Sequence, residues 1–258
     1  MIIRAYPKAN LALDILRKTE SGHHEIQTIF HQLAEPFDEI EVEPDSGSEI
    51  SMASDNSRLP LDEKNTVLKA AQLLKKELGR KASGIHFFLR KRIPLMSGLG
   101  GGASNAVAAL KLLAELWDVD CGCYGNKHKR NCFFRRIARE IGMDCNFFFD
   151  GGTQLGTHFG EELEPLPALP ADIKIKVIET GVEVSSRAAY KKLDLKTCGK
   201  NQHKTKNLIA ALHAGSSHEI LKNIHNDFEF SVLRDFPKLQ EIKKKAELEC
   251  PIVLLAGS

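Results

Sequence analysis

Residues 94–105 read Pro94-Leu95-Met96-Ser97-Gly98-Leu99-Gly100-Gly101-Gly102-Ala103-Ser104-Asn105 and run without a break into Ala106-Val107-Ala108-Ala109-Leu110-Lys111-Leu112-Leu113. Gly98, Gly100, Gly101 and Gly102 carry no Cβ, take φ > 0 without strain, and let consecutive N–H groups close on a bulky ligand. Ser104 and Asn105 fall in the first turn of the helix that follows, where unpaired N–H donors and the positive end of the macrodipole attract phosphate. The plainer alternative is a loop that merely bends ahead of a buried, Ala-rich helix. Bending alone does not need four glycines, so the pattern predicts an anion cradle fixed to the start of a deep helix over residues 103–117.

The remainder of the chain is of ordinary globular make-up. Its 258 residues are 42% apolar and 27% charged, enough for a substantial core and two domains. Thirty-six basic against 34 acidic residues give a net charge of +2, too weak to make nucleic acid the main partner. No apolar run approaches the roughly eighteen residues that a membrane span requires, and Met1-Ile2-Ile3-Arg4 opens on a strand-like pattern, so a cytoplasmic protein without a membrane partner is expected. The six cysteines, at positions 121, 123, 132, 145, 198 and 250, are too sparse for a disulfide framework and are expected to be reduced. Cys121, Cys123, His128 and Cys132 are of the right type for zinc, but the C-x-C spacing is short for a structural site. A basic interhelical loop is the better reading there, and no protein metal site is expected.

Residues 1–60 alternate as β-structure with turns at Gly22 and near residues 45–48 and 55–57, a mixed or antiparallel sheet with one wet face. A helix follows, capped near Asn65 and closed by Gly79, with Val67, Ala71, Leu74 and Leu78 as its apolar stripe. Residues 85–89 form a strand, and Arg90-Lys91-Arg92 reads first as a solvated edge and second as bases that help hold nucleotide phosphates. Further expectations are a helix over 133–141, a buried strand over 147–149, a half-exposed strand on Ile173, Ile175 and Val177, and a buried strand over 251–255. Helices are expected near 186–193, 205–213, 217–225 and 236–248, an α+β arrangement with a domain boundary near residues 156–170.

Three glycine-rich motifs compete for the loop. The P-loop fails, because Ala103 stands where its last glycine belongs and no lysine follows. Gly98-x-Gly100-x-x-Ala103 satisfies a dinucleotide fingerprint, with Asp118 or Asp120 near the offset of a ribose acid, yet residues 90–97 separate the strand from the glycines. The third motif fits more of the chain. Residues 94–105 resemble the Pro-x-x-x-Gly-Leu-Gly phosphate loop of the GHMP small-metabolite kinases, the family of galactokinase, homoserine kinase, mevalonate kinase and phosphomevalonate kinase. Ala5-Tyr6-Pro7-Lys8-Ala9-Asn10, Gly22-His23-His24-Glu25, Asn65-Thr66-Val67 and Gly142-Met143-Asp144 follow the order found in members that phosphorylate a cytidine-diphosphate-linked sugar alcohol in isoprenoid biosynthesis.

That resemblance implies a two-domain α+β fold, with a ribosomal-protein-S5-like ATP domain over residues 1–160 and a ferredoxin-like substrate domain over 161–258. It implies an ATP- and Mg²⁺-dependent kinase in which Asp144 takes the proton of the acceptor hydroxyl and Lys8 stabilises the transferring phosphoryl group. ATP is expected on Asn65, Pro94, Met96, Ser97, Gly98, Leu99, Gly100, Gly101, Gly102, Ala103, Ser104 and Asn105. The cytidine-bearing small-molecule substrate is expected on Asn10, His23, His24 and Tyr190. His23 stands where a tyrosine is usual, and Asp144-Cys145-Asn146 lacks the proline that would restrain the backbone beside the base. The chain stops at Leu254-Leu255-Ala256-Gly257-Ser258, where the family's third glycine motif begins, so a final strand and helix are expected to be missing. A different acceptor, or a non-catalytic nucleotide-binding module, remain the alternatives.

Overall fold

A computed structural model describes residues 1–79, 83–119 and 132–257. The chain packs into two compact units, each drawn from separate stretches: Met1–Pro7, Ala34–Ile93 and Gly100–Asp150 form the first, and Lys8–Leu33, Pro94–Leu99 and Gly151–Ser258 the second.

The first unit is built on a four-stranded sheet. Its strands are β1 (Ile2–Ala5), β4 (Asp38–Asp45), β5 (Ile50–Ser54) and β6 (Gly84–Arg90), in the order β1-β4-β6-β5 with only β5 and β6 parallel. Alternation decides which face is buried: Ile40 and Val42 on β4 and Ile85, Phe87 and Leu89 on β6 point inward. Helix α1 (Thr66–Leu78) begins and ends where the sequence signals place it, Asn65 Oδ1 accepting from Val67 N at 3.0 Å and Gly79 closing at φ 62°. Helix α2 (Gly101–Leu116) packs on α1 and is buried at every residue from Ser104 to Leu110. It starts two residues earlier than the sequence pattern suggests, because Gly101 and Gly102 are already helical.

Helix α3 (Phe133–Ile141) stops at Gly142 as expected. Phe147–Asp150 is not a strand but a short helix, α4, wound by bonds from the N–H groups of Phe147, Phe148 and Phe149 to the carbonyls of Asp144, Cys145 and Asn146. Three phenylalanines in a row carry no period, so the sequence pattern does not separate strand from helix there.

The second unit holds a five-stranded sheet in the order β8 (Glu162–Leu166), β7 (Thr153–Thr157), β3 (His24–Gln32), β2 (Lys8–Lys18), β9 (His225–Asn226). Its helices are α5 (Ser186–Lys191), α6 (Gln202–Ala214), α7 (Ser217–Asn223), α8 (Phe228–Asp235) and α9 (Pro237–Ala246). Residues 8–15 of β2 are buried without a gap, so the wet face expected for this strand is absent. Leu208, Leu212 and Ile220 pack with Leu11 and Ile29, while Ala189, Phe228, Val232 and Leu239 pack with Leu13, Ile15 and Ile26. Strand β2 shifts register between Asn10 and Ala12, which sets its side-chain alternation off the simple period.

Other expectations also change. Ile173, Ile175 and Val177 form no strand; the segment has the alternation but no ladder partner among the described residues. Residues 251–255 are irregular as well, and residues 255–257 are held by isolated bonds, Asn10 N to Ala256 O at 2.9 Å, Leu255 N to Glu229 Oε1 at 3.2 Å and Asn226 Nδ2 to the carbonyls of Leu255 and Gly257 at 3.0 Å. Residues 121–131 of the cysteine-rich stretch lie outside the described residues. Cys132 is disulfide-bonded, which corrects the expectation of reduced thiols there, whereas Cys145, Cys198 and Cys250 are free. No described helix is long and apolar enough to cross a membrane.

A buried ion pair ties β2 to β9. His225 Nε2 lies 3.0 Å from Asp14 Oδ1 and its Nδ1 lies 3.0 Å from the Asn223 carbonyl; Thr205 Oγ1 donates to the other Asp14 oxygen. Two acceptors ask both ring nitrogens to donate, which is the imidazolium. Burial opposes that charge, but the Asp14 and Asn223 bonds outweigh it and hold the pKa above 6.5. Its stabilising contribution is therefore complete below the unfolded value and is lost as pH rises through the raised folded one. His225→Gln should cost about 3 kcal/mol at pH 6, with a deficit that narrows toward pH 9 in thermal melts. A deficit that does not change with pH would show that His225 does not titrate in this range.

Candidate active site

The glycine loop divides between the units at Leu99. Two of its four glycines are in the left-handed region, Gly98 at φ 74° and Gly100 at φ 69°, the latter being the N-cap of α2 and offering no side-chain cap. Gly101 and Gly102 are not, so positive φ does not explain them. A Cβ on Gly101 would meet Ile93 Cγ2 at 2.9 Å and Lys91 Nζ at 3.0 Å, so a side chain there makes one of these neighbours shift. A Cβ on Gly102 would meet only the Thr66 side chain at 3.5–3.6 Å, an ordinary contact. Among the described residues, nothing requires glycine at 102.

The residues around the α2 start are largely committed to the protein. Ser104 Oγ donates to Tyr6 O at 2.7 Å, and the buried Asn105 donates through Nδ2 to Asp38 at 2.9 Å. Asn65 uses both ends of its amide, accepting from Val67 N and donating from Nδ2 to Pro60 O at 2.8 Å. Thr66, which sequence reasoning did not single out, donates to Gly102 O at 2.7 Å and joins α1 to α2. Lys91 corrects the solvated-edge reading: it is buried, against Asp38, and burial lowers its pKa despite that partner. Asp144 is half-buried in the turn between α3 and α4.

In the second unit the loop's first half reaches β2 and the end of the chain. Lys8 N donates to Leu99 O at 2.9 Å, Val184 N to Met96 O at 3.3 Å, and a Cβ on Gly98 would meet the Gly257 backbone at 3.1–3.3 Å. Ser97 Oγ folds back onto Pro94 O at 2.8 Å, and Met96 takes φ 50°, uncommon for a side chain of its size. Lys8 is not solvated, as a strand-start lysine ordinarily is, but 5% exposed. Its Nζ donates to Asn10 Oδ1 at 2.6 Å, Asn10 Nδ2 to Thr28 Oγ1 at 2.6 Å, and Thr28 to the Ala12 carbonyl at 2.7 Å. That relay fixes the ammonium, and Thr28 is a member the sequence did not disclose.

His24 stacks on Tyr190 with ring centroids 4.9 Å apart and planes at 28°, and Tyr190 meets Phe228 edge-on at 4.8 Å. The structure thus brings His24 and Tyr190 together across 166 positions of sequence. His23 stands apart from that stack, its ring 5.3 Å from Phe159 and its Nδ1 3.2 Å from Ser21 Oγ. Burial, then Lys18 and His23, lower the His24 pKa, so its ring is neutral at pH 7 and carries one donor and one acceptor.

A glycine loop opening a buried helix, α1 docked on its first turn and a sheet behind define a small-molecule kinase fold, and residues 65–152 match the model of the GHMP kinases N-terminal domain. The chain is an ATP-dependent kinase of that class. It is 35% identical over 243 residues to the 4-diphosphocytidyl-2-C-methyl-D-erythritol kinase of Caldicellulosiruptor bescii, covering 94% of this chain and 81% of that one. The enzyme of the same name from Shouchella clausii is 33% identical over 257 residues, covering 99% and 82%. A crystal structure of 4-(cytidine 5'-diphospho)-2C-methyl-D-erythritol kinase superposes with a TM-score of 0.73 at 26% identity, covering 100% of this chain and 88% of that one. The chain belongs to the 4-diphosphocytidyl-2-C-methyl-D-erythritol kinase family.

The glycines separate fold from ligand. Gly98→Ala adds a left-handed strain of about 1–2 kcal/mol to a backbone contact, and should lower the Tm. Gly102→Ala should leave the Tm unchanged or raise it, since alanine favours helix over glycine by up to about 1 kcal/mol. If Gly102 is there for phosphate, ATP affinity falls all the same, as calorimetry would read. Native ATP affinity in Gly102→Ala would remove residue 102 from the ligand face of the loop.

Proposed function

We propose that this chain transfers the γ-phosphate of ATP to the 2-hydroxyl of 4-diphosphocytidyl-2-C-methyl-D-erythritol, in the non-mevalonate isoprenoid route. The observation that carries the chemistry is the burial of Lys8. An ammonium is costly to bury, and here two side chains in series, Asn10 and Thr28, hold it in one place. Such a fixed positive charge suits the oxygens of a transferring phosphoryl group.

Asp144 accepts the proton of the attacking hydroxyl, and Lys8 lends its charge to the phosphoryl oxygens, so the alcohol oxygen gains phosphorus as ADP leaves. The N-terminus of α2 and the glycines before it hold the ATP phosphates, donating backbone N–H groups that no side chain caps. Mg²⁺ would neutralise charge on the ATP phosphates; among the described residues there is no group of three or more histidine, cysteine, aspartate or glutamate side chains that could hold it without the nucleotide. We assign ATP to residues 1–160 and the alcohol substrate to 161–258, with Asn10, His23 and His24 contributed from the earlier part. His24, neutral and half-buried, reads the cytosine edge, and Tyr190 supplies the face on which the base stacks.

Asp144→Asn should reduce turnover by about 10²- to 10⁴-fold while calorimetric binding of both substrates persists; unchanged turnover would take Asp144 out of the mechanism. Tyr190→Ala should weaken competition by cytidine diphosphate by about 1–3 kcal/mol and leave the KM for ATP alone. If cytidine nucleotides do not compete with the native protein's alcohol substrate, the acceptor is another one.

A further inference from the structure

The carboxylate of Asp38 is fully buried at the head of β4, and the proposed mechanism does not use it. Its Oδ1 accepts from the N–H groups of Arg92 at 2.6 Å and Ile93 at 2.8 Å. Its Oδ2 accepts from Lys91 Nζ and from Asn105 Nδ2, the latter at 2.9 Å. Three of these donors belong to the segment that leads into the glycine loop and one to the helix that leaves it. Residues 94–104, which contain all the loop glycines, lie between the two anchors. Both anchors and Asp38 belong to the first unit.

We propose that Asp38 is a positioning residue for ATP: it fixes the entry and the exit of the phosphate loop on one buried carboxylate. This rests on the reading of that loop as the ATP site. A loop with two left-handed glycines and two more without Cβ atoms has many conformations to lose when it closes on a ligand. Holding both ends before ATP arrives removes part of that cost, which is what preorganisation contributes to affinity. The lead-in is held a second time, by Asp55, which accepts from Lys91 N at 2.9 Å and from Arg92 Nη1 at 2.7 Å. On the helix side Asp38 meets Asn105, while Ser104 Oγ on Tyr6 O and Thr66 Oγ1 on Gly102 O hold the same turn from outside. Loss of the Asp38–Asn105 bond therefore loosens the exit of the loop more than its entry, where Asp55 remains as a second carboxylate.

Asparagine at 38 keeps the volume but presents N–H donors to at least one of the groups that now donate to it. Asp38→Asn should raise the KM for ATP and the calorimetric Kd of ADP by about tenfold, with the KM of the alcohol substrate unchanged to within about twofold. Because that variant leaves the Lys91 ammonium buried without its counter-charge, Asp38→Asn is also combined with Lys91→Met. The double variant should recover most of the lost Tm and none of the lost ATP affinity, since the donor on Asn105 still has no carboxylate to meet. A double variant with native KM for ATP would reduce Asp38 to a stability role and overturn the proposal. Gly102→Val serves as the loop control. If it loses ATP while both Asp38 variants retain it, the positioning role alone fails; if the native protein does not bind ATP in the same calorimetry, the ATP reading of the loop fails and takes this proposal with it.

Discussion

The first unit depends on the burial of one helix. Helix α2 has no solvated face from Ser104 to Leu110, so whatever is bonded to it is placed as rigidly as the core itself. At its start it meets Asp38 through Asn105; six residues on, about 9 Å along the axis, Lys111 Nζ donates to the carbonyls of Phe148 and Phe149 at 2.9 and 3.2 Å. Those carbonyls belong to the short helix that Asp144 opens into. Without a proline after Asp144, this turn is held by Arg135 Nη1 donating to Asn146 O at 3.1 Å and Cys145 N donating to Gly142 O at 3.2 Å, and the Cys145 side chain is sealed in the core. Burial pushes the Cys145 thiol well above its usual pKa, with the charge of Asp144 acting in the same direction, so it is a packing residue and not a nucleophile.

In the second unit the corresponding element is β2, a central strand that buries Lys8, Asn10 and Asp14 along with its apolar residues. Each polar group has a named partner: Asn10 for Lys8, Thr28 for Asn10, Thr205 and His225 for Asp14. Asp227 adds a further constraint, accepting from Ile15 N at 2.9 Å and from Gly199 N at 2.7 Å. No described buried side chain is left without a hydrogen-bond partner. Networks of this kind allow few alternative arrangements, since any shift strands a polar group in a low dielectric. The start of β2 is therefore a rigid place from which to present an ammonium.

Legibility in the sequence followed the physics of each element. Helix α1 carries a cap at each end and a periodic face, helix α3 a closing glycine, and both stand where those signals put them. Residues 147–149 and 251–255 are short apolar runs without period, and each took a form that tertiary contacts chose. Ile173, Ile175 and Val177 had the right alternation, but a strand needs a neighbour, which alternation does not reveal. For the site, the glycines announced themselves, Lys8 and Asp144 came only through family resemblance, and Asp38 and Lys91 were not legible at all. A single aspartate after Pro36-Phe37 reads as a turn residue, and a lysine between two arginines reads as solvated. Their burial is a property of the fold around them.

The pairing of those two charges also resolves an electrostatic conflict at the α2 start. A lone buried carboxylate bonded to the first turns of a helix would itself satisfy the positive end of the dipole and compete with any incoming phosphate. A lone buried ammonium beneath Gly101 would add attraction for phosphate, but at a desolvation cost that folding seldom sustains. With Lys91 against Asp38 the pair is neutral, so the helix terminus keeps its own field while the carboxylate still organises the backbone on either side of the loop. The absence of a side chain at Gly101 belongs to the same arrangement, because a Cβ there would displace Lys91 Nζ and Ile93. One glycine of the four thus lets a buried ion pair sit under the loop.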